Sequence, residues 1–447
     1  MPSIRKIERV VPLKICDLSI KEFSTRINNT EYRLGIYHHY LSGKVPLPVQ
    51  DKHRKGGFKQ DFDELGFPVP PGHSVLLPGD VSYRTEDDIP IRYDTEEKEN
   101  EYRQKLRRYK LAKERYDELT TNGVTLHEYF MQLRQNPDDW DNEEENEIRM
   151  NLIMTVGRPN NWLDWNIEDL ETKLLVFDCR RNQSKPPFTC YIQLTIQKEN
   201  SNKVQLFEYN KKLFEAAKQL NEVLFGFRTF PIYVSNFHFG YKKMVASKNI
   251  YRLPIGFSLY AKEVDSSDYM IDHKNFKSIV KNSENLDSLH ICCPVLIDGA
   301  DFHIPTVLNS KKLVIVCLDR RRIQRLAQIA RGTSSFDFQI KSKWEFSRDE
   351  YFEVYQSWLS GNRSIGAMFR VALEKEEAGE ELLQLIRDRS ERTETTERCV
   401  TVFINEFMNI EVFYEPCTDP PLTVNERKRY CWRSTPRLTL KMRIVKA

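Results

Sequence analysis

Apolar residues recur along this chain at two spacings, and each spacing predicts an element. Tyr351, Val354, Tyr355, Trp358 and Leu359 stand three and four apart, which predicts a helix whose broad apolar face must be buried. Ser347 and Glu350 can satisfy each other's free backbone donors at its start in a capping box, and Gly361 is expected to end it in a left-handed conformation. After the turn Asn362-Arg363-Ser364, the alternation of Ile365, Ala367, Phe369 and Val371 predicts a strand with those four residues on its core face. The same two periods predict helices at about 206–225, with Leu213, Ala216, Ala217, Leu220 and Leu224 on one stripe, and near 321–331, 373–389 and 398–408. Strands are predicted at 174–179, 189–196, 290–304, 312–318, 411–415 and 438–445. Residues 291–297 and 313–318 are nearly continuous apolar runs, as in strands buried on both faces.

The first third of the chain is patterned differently. An apolar run at 10–15 is followed by the segment from Tyr32 to Leu41, in which the adjacent His38 and His39 fall on different faces of either a strand or a helix, which argues against a metal-binding pair. Proline, glycine and charge dominate 42–94, where a long loop is expected. Alternating charge around Tyr102, Leu106, Tyr109, Leu111 and Tyr116 predicts an exposed helix over 96–121, and the acidic stretch 136–147 reads as a loop that would repel RNA. The organisation expected is an N-terminal strand segment packing on the core (1–41), an insertion (42–150) and a core domain (151–447). No tandem repeat is evident. Strands and helices interleave without strict regularity, so the fold class expected is mixed α+β, with curved mixed central β-sheets flanked by helices.

At 447 residues, 40% hydrophobic and 30% charged, the chain can bury a sizeable core. Its net charge of +3 gives no global positive field, so binding to nucleic acid would rest on local patches. No run of eighteen apolar residues occurs and Met1-Pro-Ser-Ile-Arg-Lys lacks the apolar segment of a secretory signal, which points to an intracellular site, cytoplasmic or nuclear. Nine cysteines at irregular spacings, without a paired C-x-x-C, read as free thiols rather than zinc ligands.

Several residues have candidate chemistry. Asp319 can cap a helix whose first turn carries Arg320, Arg321 and Arg322; their charge opposes the helix dipole, and a bound phosphate would relieve that, the other reading being three solvated arginines. Asp301 and His303 share one strand face, as a hydrogen-bonded structural pair or as metal ligands. Gln356 and Arg370 are placed to reach a site, or to lie on the surface as a solvated amide and guanidinium.

The run Gln356-Ser357-Trp358-Leu359, with Gly361, Ile365, Phe369 and Arg370, resembles the Q-S-F-L-x-G and G-F-R segment of the DXO decapping exoribonucleases, which remove defective or non-standard caps from RNA 5′ ends. Residues 32–41 resemble the family's tyrosine-rich N-terminal strand. The resemblance implies the family's fold and carboxylate-held Mg²⁺ or Mn²⁺ ions that stabilise the oxygens at phosphorus. It places Arg158 at a substrate-contacting arginine and Phe230 at a metal-binding glutamate. Ala300 and Phe302 replace a glutamate and an aspartate, Cys317 a second glutamate and Asp319 a lysine. The expectation is a divergent member that needs no cofactor and binds RNA through Arg158, Arg320, Arg321, Arg322, Gln356 and Arg370, with metal-dependent decapping and 5′→3′ exonuclease activity lost or impaired. The alternatives are an active decapping nuclease with Mg²⁺ or Mn²⁺ on Asp298, Asp301 and Asp319, and a protein scaffold in RNA processing. Expected partners are an RNA 5′ end and another RNA-processing protein or exoribonuclease, with neither membrane nor DNA.

Overall fold

The computed structural model of the chain describes residues 11–69, 75–83, 94–135, 143–159, 161–238, 249–266, 273–292, 306, 309–317, 323–342, 346–361, 363–373, 375–417 and 438–447. Among these residues the fold is mixed α+β: fifteen strands form one mixed sheet, and ten helices accompany it. Its centre is a row of parallel strands: β1 (Leu13–Lys21), β9 (Ile232–His238), β11 (Leu259–Ser266), β12 (Ser288–Cys292), β13 (Lys312–Cys317), β14 (Asp337–Ser342) and β15 (Met368–Leu373). From β9 onward they lie side by side in chain order. Parallel neighbours need a crossover, and α7 (His273–Ile279), α8 (Ile323–Gly332) and α9 (Arg348–Leu359) lie in three of these. Antiparallel strands complete both sides: β19 (Leu438–Lys446), β18 (Met408–Pro416), β17 (Cys399–Asn405) and β16 (Thr393–Thr396) beyond β15, and β2 (Ser24–Ile27), β3 (Thr30–Tyr40), β7 (Phe188–Lys198) and β8 (Ser201–Glu208) beyond β1.

Register explains why this row holds together. Leu18, Phe237, Val264, Leu289, Leu313, Phe338, Phe369, Met442, Val412 and Val400 are Cα partners from strand to strand, and none is more than 1% exposed. Each such side chain stabilises the fold by roughly 1.5–3 kcal/mol before chain entropy is set against it. From Phe237 onward, successive parallel partners are 27, 25, 24, 25 and 31 residues apart. Around each partner the buried positions repeat: Leu286, Leu289 and Ile291; Ser310, Leu313 and Ile315; Ser335, Phe338 and Ile340. That is the L-x-x-L-x-L strand pattern of leucine-rich repeats at a similar period. Serine is tolerated in the first position because Ser335 Oγ donates to the Ser310 carbonyl (2.6 Å) and accepts from Thr333 Oγ1 (2.8 Å). The chain thus carries a tandem repeat that its sequence conceals.

A second block is helical: α2 (Glu96–Thr121), α3 (Leu126–Gln135), α4 (Glu143–Thr155) and α5 (Trp162–Arg181). The boundary expected at 150 falls inside α4, so this block continues to Arg181. Thr95 caps α2 by accepting from the Lys98 N–H. Residues 174–179 are part of α5, not a strand; a short apolar run reads the same in a buried helix, and here Leu170, Leu174 and Phe177 are buried at helical spacing. Residues 143–147 begin α4 rather than forming a loop. The expected loop 42–94 contains α1 (Leu47–Arg54) and the short strands β4 (Asp61–Phe62), β5 (Pro68–Val69) and β6 (Val81–Tyr83).

Other expectations change at their ends. The helix α6 covers Leu213–Phe225 only, because 201–208 is the hairpin strand β8. The helix expected over 398–408 is β17, whose Val400 and Val402 are buried at a period of two. The helix predicted over 373–389 is α10 (Glu376–Arg389). In the unit from Ser347 to Val371 the capping box is present, Glu350 accepting from the Ser347 N–H at 2.6 Å. Ile365 is 50% exposed, ahead of β15, and Gly361 is not left-handed. Ser360 ends α9 with right-handed angles; glycine follows because a Cβ there would stand 2.7 Å from Arg363 Cζ and 2.9 Å from the Arg331 carbonyl oxygen. The buried Arg363 guanidinium donates to carbonyls of Ala330, Arg331 and Thr333 at the end of α8 and of Trp358 at the end of α9, tying two helix C-termini together.

Candidate recognition surface

Asp298, Ala300, Asp301, Phe302, His303, Asp319, Arg320, Arg321 and Arg322 lie outside the described residues. Cys317 is the last residue of β13. Phe230 precedes β9, 45% exposed. Since β9 and β13 are parallel members of one row, Phe230 and Cys317 stand at opposite ends of their strands, with β11 and β12 between them and roughly 14 Å of sheet across. Arg370, two strands beyond β13, donates from Nε to Asp337 on β14 at 3.1 Å and pairs with it through a second nitrogen. Gln356 is on the exposed side of α9, and Arg158 is exposed in the turn after α4. The fold therefore does not gather Arg158, Phe230, Cys317, Gln356 and Arg370 into one site. Among the described residues no group of three or more His, Cys, Asp or Glu side chains is placed to hold a metal ion.

A different set converges at the entry ends of β1, β9 and β11. Lys14, Tyr233 and Tyr260 are Cα partners across these strands. The tyrosine rings stack with centroids 5.4 Å apart and planes 22° apart, and remain 44% and 39% exposed. A cleft of about 560 Å³ on one side is lined by Lys14, Tyr233, Tyr260, Lys262 and Asn285. A second, of about 480 Å³, shares Tyr260 and includes Phe227, Arg228, Phe230 and Lys281. Lys14 and Lys262 are exposed and make no ion pair among the described residues, whereas the nearby Asp287 is held by Lys311 (2.6 Å), which lowers its pKa. Gly226 caps α6, its N–H donating to the Glu222 carbonyl at 2.8 Å, and Phe227 follows at φ 58°, a conformation that costs a bulky residue on the order of 1 kcal/mol.

A buried polar cluster ties α6 to Arg252 and to β2. The Asp80 side chain is fully buried and accepts from Arg252 (2.6 Å), Lys218 on α6 (3.1 Å) and the Leu77 N–H (2.9 Å). Asn221 on α6 donates to the Arg252 carbonyl (2.9 Å) and accepts from Thr25 on β2 (2.8 Å). Burial pushes the nearby Glu22 up to about 7, against the pull of Arg252. Further along the rows, His238 bridges Asp265 (3.4 Å) and Asp17 (3.1 Å) on the flanking strands; its pKa is raised, chiefly by the hydrogen bond with Asp265. Toward the far side of the sheet the cations are neutralised by neighbours: Arg370 by Asp337, Arg443 by Glu411 and Lys441 by Glu415.

Sequence reading missed the ledge, although a signal existed. Lys14, Tyr233 and Tyr260 each precede the buried ladder residue of their strand by four positions, and Asn285, Asn309 and Ser334 continue the row by the same offset. A family described as a domain of unknown function (DUF3557) matches residues 212–375, the stretch from α6 to just past β15 that contains the repeats. No curated protein and no solved structure matches the chain.

Proposed function

We propose that this protein is a non-catalytic recognition module that takes a single-stranded RNA end on the Tyr233–Tyr260 ledge. The observation that carries the reading is the exposed, stacked tyrosine pair framed by Lys14 and Lys262. Bases stack on such rings whatever their identity, for roughly 1–3 kcal/mol per base, while lysines draw the phosphates. The resemblance to the DXO decapping exoribonucleases supports an RNA 5′ end as the ligand. The residues at that family's ligand positions, Phe230, Ala300, Phe302 and Cys317, carry no carboxylate, which supports loss of its Mg²⁺- or Mn²⁺-dependent chemistry.

The test is fluorescence anisotropy with a labelled twelve-nucleotide 5′-monophosphate RNA at two salt concentrations, followed by gel analysis of the RNA after incubation with Mn²⁺. The expected result is salt-sensitive binding that falls at least tenfold in Tyr233→Ala/Tyr260→Ala, a shallower salt slope in Lys14→Ala/Lys262→Ala, and intact RNA. Unchanged affinity in the tyrosine variant would remove the ledge as the binding site. Metal-dependent cleavage by the parent but not by an Asp298→Asn/Asp301→Asn/Asp319→Asn variant would replace the reading with an active nuclease. A second reading, a scaffold for RNA-processing proteins, is favoured by the carboxylate-neutralised cations between β14 and β18; it takes over if no RNA binds.

A further inference from the structure

The fifteen-stranded sheet is an open row with two ends, and the two ends are built differently. At one end β16 is four residues long and polar, Thr393-Glu394-Thr395-Thr396, the short, hydrophilic kind of edge that resists pairing with another chain. At the other end β8 has eight residues, no proline and no bulge: it pairs with β7 in unbroken register, from Ser201 opposite Lys198 to Glu208 opposite Tyr191. Seven of its eight residues are exposed, and Val204, Leu206 and Phe207 place three half-exposed apolar side chains within four positions. Among the described residues β7 is its one sheet neighbour. Alternate residues of β8 turn their N–H and C=O groups away from β7, which makes this side of the strand a template for another strand.

We propose that β8 is the seam of a homodimer, pairing antiparallel with β8 of a second copy about a two-fold axis at Gln205. Such an axis stands normal to the sheet and keeps each face on its own side, so opposing residues must both be odd or both be even in number. Centred on Gln205, the pairing sets Val204 against Leu206 of the second copy, Lys203 against its Phe207 and Asn202 against its Glu208. Val204 and Leu206 share a face, so the two copies form one apolar patch across the seam. On the other face each Lys203 lays its stem and ammonium along a phenylalanine ring. Centred instead on Val204 or on Leu206, the pairing would set Asn202 against Leu206 or Glu208 against Val204, so the side chains select one register. The strand is neutral, with Lys203 and Glu208 as its charges, and no like charges face each other. A strand that is its own complement favours a second copy over a foreign strand. Assembly stops at two copies, because pairing consumes β8 and the short, polar β16 does not extend the row. An eight-residue seam lies at the low end of interface sizes, near or below roughly 1,200 Å², so the dimer is expected to be reversible.

The experiment uses the full chain in sedimentation velocity at rising concentration. The parent is expected to pass from monomer to dimer, and Val204→Lys/Leu206→Lys to dimerise at least tenfold more weakly, because lysines then crowd the seam from both sides. Both substituted residues are exposed, so thermal unfolding of this variant should match the parent. Cross-linking tests the register separately and does not depend on the lysine variant. Gln205 stands opposite itself in the proposed pairing, so under a mild oxidant Gln205→Cys is expected to give a covalent dimer at least tenfold faster than Lys203→Cys or the parent, whose Cys16 is exposed. A parent that stays monomeric, a dimer undiminished by the lysines, equal cross-linking from positions 203 and 205, or growth beyond dimers overturns the proposal. The strands β2, β3 and β7 separate β8 from β1 of the ledge, so these variants should leave RNA binding unchanged, and failure here leaves that reading standing.

Discussion

Replacing Arg363 by methionine tests how the repeat block is tied together. The guanidinium donates to the Trp358 carbonyl at 3.2 Å, to Arg331 at 3.4 Å, and more closely to Ala330 and Thr333, all acceptors at or just beyond the ends of α8 and α9. It also lies over the Trp358 ring, 5.6 Å from the centroid. Charge-assisted hydrogen bonds contribute about 1.5–3 kcal/mol each, so three good ones amount to roughly 5–9 kcal/mol. Burial opposes this, pushing the side chain's pKa down to about 10 from 12.5, a penalty of about 3 kcal/mol. The attraction wins by some 2–6 kcal/mol, and methionine keeps the length while removing these charge-assisted donors; the Trp358 carbonyl retains the Gly361 N–H at 3.2 Å. Urea unfolding followed by tryptophan fluorescence should show Arg363→Met destabilised by about 3 kcal/mol or more. Arg363→Lys should recover about a third, because an ammonium reaches one carbonyl where the planar fork reaches several. A loss under about 0.5 kcal/mol in the methionine variant, or full recovery by lysine, would refute the staple.

Gly361→Val should be strongly destabilising because the new side chain would collide with the Arg363 guanidinium, and the loss should shrink in an Arg363→Met background; strict additivity of the two changes would remove that cause. Trp358, fully buried with its indole N–H unpartnered among the described residues, should cost about 3–5 kcal/mol as Ala but far less as Phe, which sheds the orphan donor; equal losses in calorimetry would contradict this. His38, stacked between Phe58 and Phe188 at 4.4 and 4.0 Å, has its pKa pushed down to about 3 by burial, while an unfolded histidine titrates near 6.5. The unfolded chain then binds the proton first, so stability present above pH 6.5 is lost as pH falls toward 3, and His38→Phe should flatten that part of the stability profile. Glu22 has the opposite sign: its folded pKa of about 7 exceeds its usual 4.5, so its contribution is full below 4.5 and is lost as pH rises through 7, and Glu22→Gln should gain about 3 kcal/mol relative to the parent at pH 8; a pH-independent difference would break the link.

The sheet was legible where one period spoke alone. β7 and β19 follow the strand pattern that predicts them, β13 is the continuous apolar run buried on both faces, and α2 and α9 follow their helical spacing and caps. Misreadings fall where two elements share a pattern. The run Leu174-Leu175-Val176-Phe177 is as apolar as a buried strand, and only the spacing of seven, four and three from Leu163 through Leu170 and Leu174 to Phe177 reveals α5. β17 is built from Val400, Thr401, Val402, Phe403 and Ile404, β-branched and aromatic residues that favour a strand, and its buried valines alternate accordingly.

The repeat was missed for a related reason. Its ladder residue varies among Phe, Val and Leu, its first position is Ser in two units and Leu in another, and its period drifts from 24 to 31 residues, so no string of identities recurs. What recurs is burial, which pairing in register enforces and a linear sequence does not display. The candidate surface follows from the same fact. Tyr233 and Tyr260 are distant in the chain and become a stacked pair only because their strands are adjacent, parallel and in phase. A one-residue slip in the register of either strand would turn its ring toward the core, so the phase that builds the ladder also builds the ledge.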